Sequence, residues 1–436
     1  MSFSKMAVGT TVALVLIGAI IGVAGCTTTG SGLAPVATQE PSAQPVVEDT
    51  PTPLPEPAGD IATPVARAAT DESPGVEPVI QEPVTRAEIE CTTPALFQFP
   101  PVNLDKTAVV VPLGLMSGNH VTPVDHQYFQ DFDNDEVDIE VYAPGDGVIT
   151  GLQHMFGSYS GGPDNELIEW ADFRLVIDHG CGLESIYIHI DRLSDKVGAQ
   201  APAKGNYASV SIAVEAGEVI GWYSQNVDYN LVDQAVVLSG FLVPEHYEGE
   251  PWKIHVPHTL DYFVDEVRDQ IVAKSLRTVE PIGGKFDHDI DGRLIGNWFE
   301  EGTNGYAGLS QSNYWVGHIS VSPNYLDPSH FIVSIGDLDG EPKQFGVRGN
   351  APFPSDVSVE SGLIRYELVR IEYFDGDQYW DRRSLASDLR AASEGDVQGV
   401  ILLQLIEDRR LKVEVFPRAT GEQIAGFSEN AKFYEP

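Results

Sequence analysis

Histidines near a carboxylate or at a strand end are the residues of this chain whose types and spacing suit chemistry. The segment SIYIHIDRL places His189 after a β-branched and aromatic run, and LVIDHG places His179 directly after another. The segment NHVTPVDHQYF brings His120 and His126 close to Asp125 along the chain. Imidazole is a general acid or base near neutral pH, and imidazole and carboxylate are common metal ligands. A histidine within an apolar strand is also a common core residue, so the predicted elements around each one matter.

Short strands are predicted to position these residues. Runs such as DIEVYAPGDGVITGL, FRLVIDHG, ESIYIHI and AVVLSGFLV are β-branched and broken by Gly, Pro and Asp, which is typical of strands. The segment FVDEVRDQIVAKSL has helical apolar spacing and predicts a short helix between two domains. From about residue 279 to 436 further strands, regularly spaced, predict an antiparallel barrel or sandwich. In that region only RRSLASDLRAASE has a clear helical pattern.

One block of the chain resembles a known family. LVIDHGCGLESIYIHIDRL, continuing to VSIAVEAGEVIGW, resembles the lysostaphin-type (LytM-like) zinc endopeptidases that cut peptidoglycan cross-bridges. That family has a strand ending in H-G-x-G, a strand Y-x-H-L and then V-x-x-G-x-x-I-G, and VYAPGDGVITG is similar to its V-x-A-x-x-D-G-V-V hairpin. The resemblance covers most of residues 105 to 235 and implies a β-sandwich of the duplicated hybrid type. The matching residues are Asp178, His179, Gly180, Gly182, Tyr187, His189, Leu193, Val214, Gly217, Ile220 and Gly221.

The resemblance implies a catalytic zinc site with one position left open for water. In the family, zinc is held by the His and Asp of H-x-x-x-D and by the second His of an H-x-H strand. Two further histidines position the water and stabilise the tetrahedral intermediate. The candidate catalytic residues are His189, which matches the histidine of Y-x-H-L, and His179, for which a turn residue that caps the sheet is the alternative.

The metal ligands of this chain depart from the family pattern. The gap from His120 to Asp125 is one residue too long, which on a strand turns the aspartate to the other face unless a bulge restores it. After GEVIGW, the segment NVDYNLVD places Asn226 and Asp228 where two histidines belong, and a set richer in Asp suits zinc less. An alternative alignment takes the histidines of KIHVPHTLDYF instead. The candidate metal ligands are therefore His120, Asp125, His126, Asp228 and His258.

The acidic segment DFDNDEVD has some features of a calcium loop. Asp131, Asp133 and Asp135 alternate as such a loop requires. Glu136 stands where the loop needs glycine, and Tyr142 replaces the closing glutamate. The segment therefore predicts an acidic hairpin tip, with calcium binding as the lesser alternative, and DHDIDG is interpreted in the same way.

The N-terminus predicts export. Lys5 precedes an apolar run that ends in VAGC, as in a secretory signal, and the position of Cys26 resembles a bacterial lipobox. A lipidated Cys26 would anchor the exported protein to the outer face of the cell membrane or envelope without spanning the bilayer. A plain signal anchor with an incidental cysteine is the alternative. Residues 27–90 are rich in Pro, Ala, Thr and Glu and predict a disordered tether.

The remaining cysteines and the net charge narrow the classes of partner. In an exported protein, Cys91 and Cys181 predict one disulfide, with two buried thiols as the alternative. The chain has 26 Lys and Arg against 65 Asp and Glu, a net charge of -39. Such a surface repels the phosphate backbone, so we exclude nucleic acid as a partner.

These patterns predict a mainly β protein with a signal peptide at 1–26, a tether at 27–90, a lysostaphin-like β-sandwich at 91–268 and an antiparallel β domain at 269–436. Three functions remain open. The first is a degenerate peptidase-like module that binds or scaffolds peptidoglycan or another envelope polymer. The second is an active metal-dependent endopeptidase with rearranged ligands. The third is binding of a small molecule or glycan by the C-terminal domain.

Overall fold

The computed structural model describes residues 96–161 and 166–436. The predicted signal peptide with Cys26, the predicted tether and Cys91 lie outside the described residues. Cys181 lies in the exposed turn after a long strand, and its predicted disulfide to Cys91 stays a prediction. A search of the described residues finds no helix with the length and hydropathy that a membrane span requires.

The first half of the described chain contains ten strands. They are β1 Val109–Val111, β2 Gln127–Gln130, β3 Ile139–Tyr142, β4 Gly147–Gly161, β5 Glu166–Gly180, β6 Leu183–Ile190, β7 Arg192–Leu193, β8 Tyr207–Val214, β9 Val219–Tyr223 and β10 Asn226–Asp233. Seven of them form an antiparallel sheet in the order β1-β2-β10-β6-β5-β4-β8, which we call the main sheet. The other three form a small sheet in the order β3-β9-β7.

The two faces of the main sheet differ because side chains alternate along each strand. On β10, Val227, Tyr229 and Leu231 point into a core shared with the small sheet. The alternate residues of β10, Asp228 and Asn230, lie on the opposite face, which we call the site face. A strand of this kind therefore carries its polar residues to one side and its core residues to the other.

Two short helices accompany these sheets. They are α1 Asp195–Gly198 and α2 Asp265–Val272. The helix predicted from FVDEVRDQIVAKSL is confirmed as α2. Its buried residues Val267 and Ile271 are four positions apart and lie on one side of the helix, in the core of the main sheet.

The second half is a closed antiparallel barrel, so the predicted antiparallel barrel or sandwich is confirmed as a barrel. Its strands are β11 Gly296–Glu300, β12 His318–Pro323, β13 Phe331–Leu338, β14 Glu341–Val347, β15 Ile364–Asp375, β16 Gln378–Tyr379, β17 Leu389–Glu407, β18 Arg410–Pro417 and β19 Lys432–Glu435. They run in the order β14-β13-β12-β11-β19-β18-β17-β15-β16, and pairing of β14 with β15 closes the ring. Because the ring is closed, none of the strands from β14 round the ring to β15 has a free edge.

The helix predicted from RRSLASDLRAASE is wrong. The segment is irregular up to Asp388 and then enters β17, which begins at Leu389. Leu389 and Ala391 are buried and Arg390 between them is exposed, the period of a strand rather than of a helix. Pairing with β15 along this stretch settles the conformation in favour of the strand.

The barrel packs against the site face of the main sheet. Ile186 and Val232 of the main sheet share a buried cluster with Phe299 and Tyr306 from the barrel half. Phe241, from the segment that joins the two halves, belongs to the same cluster. The connecting segment and the barrel therefore cover one end of the site face.

Asp289 joins the connecting segment to the first barrel strand. Its Oδ1 accepts a hydrogen bond from the Asn297 amide at 2.8 Å, and its Oδ2 accepts one from the Leu242 amide at 3.2 Å. Burial, with a smaller effect from the charge of Asp287, raises the pKa of Asp289 to about 7, against the opposing effects of the two amide hydrogen bonds and of Lys285. The carboxyl is therefore protonated in the folded protein at a pH where the unfolded chain has lost the proton.

We expect this carboxyl to make the fold less stable as pH rises toward neutral. The folded pKa lies above the unfolded one, so the contribution of Asp289 is fully present below about pH 4 and is lost by about pH 7, at a slope of at most about 1.4 kcal/mol per pH unit. Asp289→Asn removes the titration and keeps the acceptor oxygen. Urea unfolding of both proteins between about pH 5 and pH 8 checks this: the stability of wild type relative to the variant should fall with pH, and a constant difference contradicts it.

Candidate functional site

Four adjacent strands of the main sheet bring polar side chains together on the site face. The strands are β2, β10, β6 and β5, and their order follows from the pairing of the sheet. Asp228 on β10 lies opposite Tyr128 on β2 and Ile188 on β6. His126, directly before β2, and His189, near the end of β6, approach Asp228 from its two sides. The predicted residues His126, Asp228 and His189 therefore lie in one cluster.

His189 reaches the site face because the strand is irregular there. The pairing of β5 with β6 shifts between Phe173 and Leu175, and His189 has a φ of 71°. A positive φ is uncommon for a residue with a side chain, and a bulge lets two consecutive residues point to the same face. Ile188 and His189 accordingly both lie on the site face.

Two carboxylates hold His189. Its Nδ1 donates to Asp172 Oδ2 at 2.6 Å, and its Nε2 lies 3.8 Å from Asp228 Oδ2. Burial alone would lower the pKa of His189, but the charges of Asp228 and Asp172 and the hydrogen bond raise the pKa to about 9. At neutral pH His189 is therefore an imidazolium that donates hydrogen bonds.

His126 is enclosed by polar partners on both ring nitrogens. Nδ1 lies 3.2 Å from Asp125 Oδ1, while Nε2 lies 3.0 Å from the Tyr128 hydroxyl and 3.4 Å from Asp228 Oδ2. The ring of His120 lies 5.7 Å from the ring of His126, centroid to centroid. Burial lowers the pKa of His120 to about 3, and the neighbouring His126 adds to this effect. His120 is therefore neutral at neutral pH.

The carboxylate of Asp125 belongs to a buried ion pair with Lys253 rather than standing on a strand as a metal ligand. Lys253 Nζ lies 3.1 Å from Asp125 Oδ1, and both side chains are at most 7% exposed. Asp125 Oδ2 accepts hydrogen bonds from Asn230 Nδ2 at 3.0 Å and Trp252 Nε1 at 3.1 Å. Burial alone would raise the pKa of Asp125, but Lys253 and His126 hold it well below its usual range.

Sequence reasoning did not identify Lys253, because it lies in a short 3-10 helix, Lys253–His255, more than a hundred residues after Asp125. It also did not identify Gln130, which stands four residues after His126 on the site face. Gln130 Nε2 donates to Asn226 Oδ1 at 3.0 Å, and Asn226 Nδ2 donates to Asp228 Oδ1 at 2.9 Å. The spacing of His126 and Gln130 was the signal in the sequence that could have found it.

Two predicted site residues lie elsewhere. His179 lies on the core side of the main sheet, where its Nε2 is 2.9 Å from Ser185 Oγ and its Nδ1 is 2.9 Å from the Asp146 carbonyl. His258 is exposed before a separate 3-10 helix and does not line the pocket of the cluster. His179 follows the core residue Ile177 by two positions on β5 and therefore points to the core face. The route of the connecting segment keeps His258 out of the cluster.

The acidic segment with the calcium-like spacing is held by partners from the protein. Asp131 Oδ1 accepts from the backbone amide of Asp133 at 3.2 Å. Arg383 from the barrel half lies 3.1 Å from Asp133, and Gln225 donates to Asp135 at 3.0 Å. The three carboxylates thus have separate partners in the structure.

The donor set of the cluster does not fit a zinc centre. Among residues 96–161 and 166–436, no group of three or more His, Cys, Asp or Glu side chains is arranged to hold a metal ion. Amides stand at Gln130 and Asn226, and Asp228 is shared between two histidines. A structural or catalytic zinc takes imidazole, thiolate or carboxylate ligands, and side-chain amides are not among them. The arrangement can instead bind polar groups by hydrogen bonds and charge.

The covered end of the site face forms a small pocket. It has a volume of about 150 Å³ and is lined from the main sheet by the cluster and from the other half by Trp252, Lys253, Tyr306 and Tyr314. Comparison of the chain with protein-family models and with curated proteins found no match. The site is therefore interpreted from its own geometry.

Proposed function

We propose that the protein is an exported, lipid-anchored envelope protein that binds peptidoglycan through the site face, without cleaving it. The observation that carries this proposal is the connected set of polar contacts among His126, Asp228, His189 and Asp172. Such a network fixes donors and acceptors in place but leaves no set of ligands for zinc. The resemblance of residues 105 to 235 to wall-cutting enzymes is the reason for proposing peptidoglycan as the polymer.

The open end of the site face suits a peptide or glycan chain. His189 is about a quarter exposed, and its ring lies 6.0 Å from that of Trp170 on the β4–β5 hairpin. Aromatic rings beside fixed polar groups bind chain molecules well, because the ring covers apolar surface while the polar groups set orientation. This combination supports binding rather than hydrolysis.

We expect the full-length protein, purified in detergent, to cosediment saturably with insoluble peptidoglycan and to release no soluble peptide with or without added zinc. His189→Ala removes a charged donor and should weaken binding roughly tenfold, the loss typical of one charge-assisted hydrogen bond. His258→Ala is the matched control, because His258 is an exposed histidine away from the pocket. It should bind as wild type does.

Three results would change this proposal. Absence of cosedimentation would overturn wall binding. Zinc-dependent release of peptides, lost in His189→Ala, would favour the endopeptidase with rearranged ligands. Equal weakening by His189→Ala and His258→Ala would remove the site face from the interaction.

A second candidate function is supported by the barrel. A cavity of about 570 Å³ lies against strands β12, β13, β18 and β19 and is lined by Ile319, Ile335 and Tyr434 together with Glu414 and Lys432. Small-molecule sites commonly measure about 300–1,000 Å³ and combine apolar walls with a few polar groups. The cavity therefore favours a small apolar or glycan ligand as a further binding partner of the barrel.

A further inference from the structure

We propose that the covered end of the site face binds the carboxylate end of a peptide, with Arg174 as the anion-binding group and Asn230 as a hydrogen-bond acceptor. The inference rests on the proposed function only in taking a wall peptide as the source of that chain end. The binding chemistry itself follows from the pocket.

Arg174 is a cation without an anion. It lies on the site face of β5 and lines the pocket, half-buried. Its guanidinium stacks over the Trp252 ring at 5.8 Å from the centroid and makes no hydrogen bond or ion pair with any residue in the part of the chain that the structure describes. Burial lowers the pKa of Arg174 by more than the charges of Glu250, Glu184 and Asp125 raise it, so the surrounding carboxylates do not make up for the lost hydration of the cation. A bound carboxylate would satisfy its paired N–H donors.

Lys253, the other cation of the pocket, is already neutralised. Its Nζ lies 3.1 Å from Asp125 and 3.2 Å from Glu250, both within the same pocket. An anionic ligand would have to displace one of these carboxylates to reach Lys253. Arg174 is therefore the group that an incoming anion meets.

Asn230 offers an acceptor beside this cation. Its side chain is 5% exposed, and its Nδ2 is engaged by Asp125. Its Oδ1 is buried without a hydrogen-bond partner among the described residues, although it lines the pocket. A buried acceptor without a donor costs free energy, so a ligand N–H at this position is favourable.

The distance between these two groups suits the last residue of a peptide. Asn230 on β10 lies opposite Ile186 on β6, and Ile186 lies opposite Val176 on β5, two residues from Arg174, so the backbones of Asn230 and Arg174 are about 12 Å apart. The arginine side chain lines the pocket with its guanidinium over the Trp252 ring. A terminal residue presents a carboxylate and its own amide N–H a short distance apart, matching one cation and one acceptor.

The pocket is small, which favours a chain end over a chain interior. Trp252, Tyr306 and Tyr314 form aromatic parts of its wall. A volume of about 150 Å³ is below the range of drug-sized sites and suits one small residue. The nearby carboxylates of Asp125 and Glu250 disfavour a dianion such as phosphate. A monoanionic carboxylate with a small side chain fits these limits.

The test compares acetyl-Lys-D-Ala-D-Ala with its C-terminal amide, by calorimetric titration of the full-length protein. We expect the free carboxylate to bind roughly ten- to a hundredfold more tightly than the amide, the ratio of one charge-assisted bidentate contact. Arg174→Ala should remove the difference between the two peptides. Arg192→Ala is the matched control, because Arg192 also stacks on a tryptophan, Trp222, at 3.9 Å but lies outside the pocket.

The outcomes separate this inference from the proposed function. Equal binding of acid and amide, or an unchanged preference in folded Arg174→Ala, overturns the carboxylate site while cosedimentation with peptidoglycan stands on its own. The protein could prefer the acid over the amide and yet bind acetyl-Lys-L-Ala-L-Ala as tightly as acetyl-Lys-D-Ala-D-Ala. That result supports the carboxylate site and counts against the wall as the source of the peptide. Far-ultraviolet circular dichroism of each variant verifies folding, and Arg174→Lys, which keeps the charge, should retain part of the preference.

Discussion

Lys253→Met is expected to lower the free energy of unfolding by about 3–5 kcal/mol, although it replaces a charge by an apolar side chain of similar length. Lys253 and Asp125 are both almost fully buried, and their charged atoms lie 3.1 Å apart. Removing the lysine leaves the carboxylate of Asp125 buried with only His126 and neutral hydrogen-bond donors to stabilise it. The cost of an unpaired buried charge exceeds the gain in apolar packing.

A double-mutant cycle identifies the cause of this loss. Asp125→Asn in the Lys253→Met background keeps acceptors for Trp252 and Asn230 but removes the unpaired charge. The double variant should be more stable than Lys253→Met alone, with a coupling free energy of about 2 kcal/mol or more. Urea unfolding of the full-length protein, followed by tryptophan fluorescence, measures each value.

The surface supplies the control for this cycle. Lys196 pairs with Glu218 at 2.8 Å, but half of the Lys196 side chain is exposed. Lys196→Met should therefore change stability by less than about 1 kcal/mol. A loss for Lys253→Met no larger than this would show that the buried pair contributes no more than a surface pair.

Much of the fold could be predicted because strand periodicity is local. The alternation in NVDYNLVD is visible in the sequence and places Asp228 opposite the core residues Val227 and Tyr229. Once β2 and β10 are neighbours, alternation places His126 and Asp228 on one face, whereas His189 joins them only through the irregularity of β6. The regular spacing of later strands predicted an antiparallel barrel or sandwich, without distinguishing the two.

The covered end of the site could not be predicted, since it depends on contacts between distant segments. Trp252 and Tyr306 reach the pocket only because the barrel packs on the site face. Asp125 was expected to hold a metal, but it lies before β2 and turns toward Lys253, a partner that no local pattern indicates. The positive φ of His189 is also a tertiary effect, set by the bulge between β5 and β6.

Gln130→Asp with Asp228→His is expected to give this chain the zinc site that its own residues do not form. Together with His126, these substitutions recreate two motifs of the family that the chain resembles. Residues 126 and 130 become the H-x-x-x-D pair, and residue 228 becomes the second histidine of the H-x-H strand. His126 Nε2 and Asp228 Oδ2 already lie 3.4 Å apart, close to the separation of two ligands about 2 Å from one zinc. Asn226 Nδ2, which now donates to Asp228, can instead orient the new aspartate.

Elemental analysis of the full-length double variant, after dialysis against a weak chelator in moderate salt, should find about one zinc per chain, and wild type should retain none at this stoichiometry. The salt matters because a chain with a net charge of -39 collects cations nonspecifically. His126→Ala in the rebuilt chain should lose the zinc, whereas His258→Ala should keep it.

If the rebuilt chain stays free of zinc while it folds, the positions of Gln130 and Asp228 do not correspond to ligand positions, and the resemblance to the endopeptidases loses its main structural consequence. If zinc binds only after both changes, the site face has the geometry of a metal centre, and the amide and the carboxylate at these two positions are what keep zinc from binding to it.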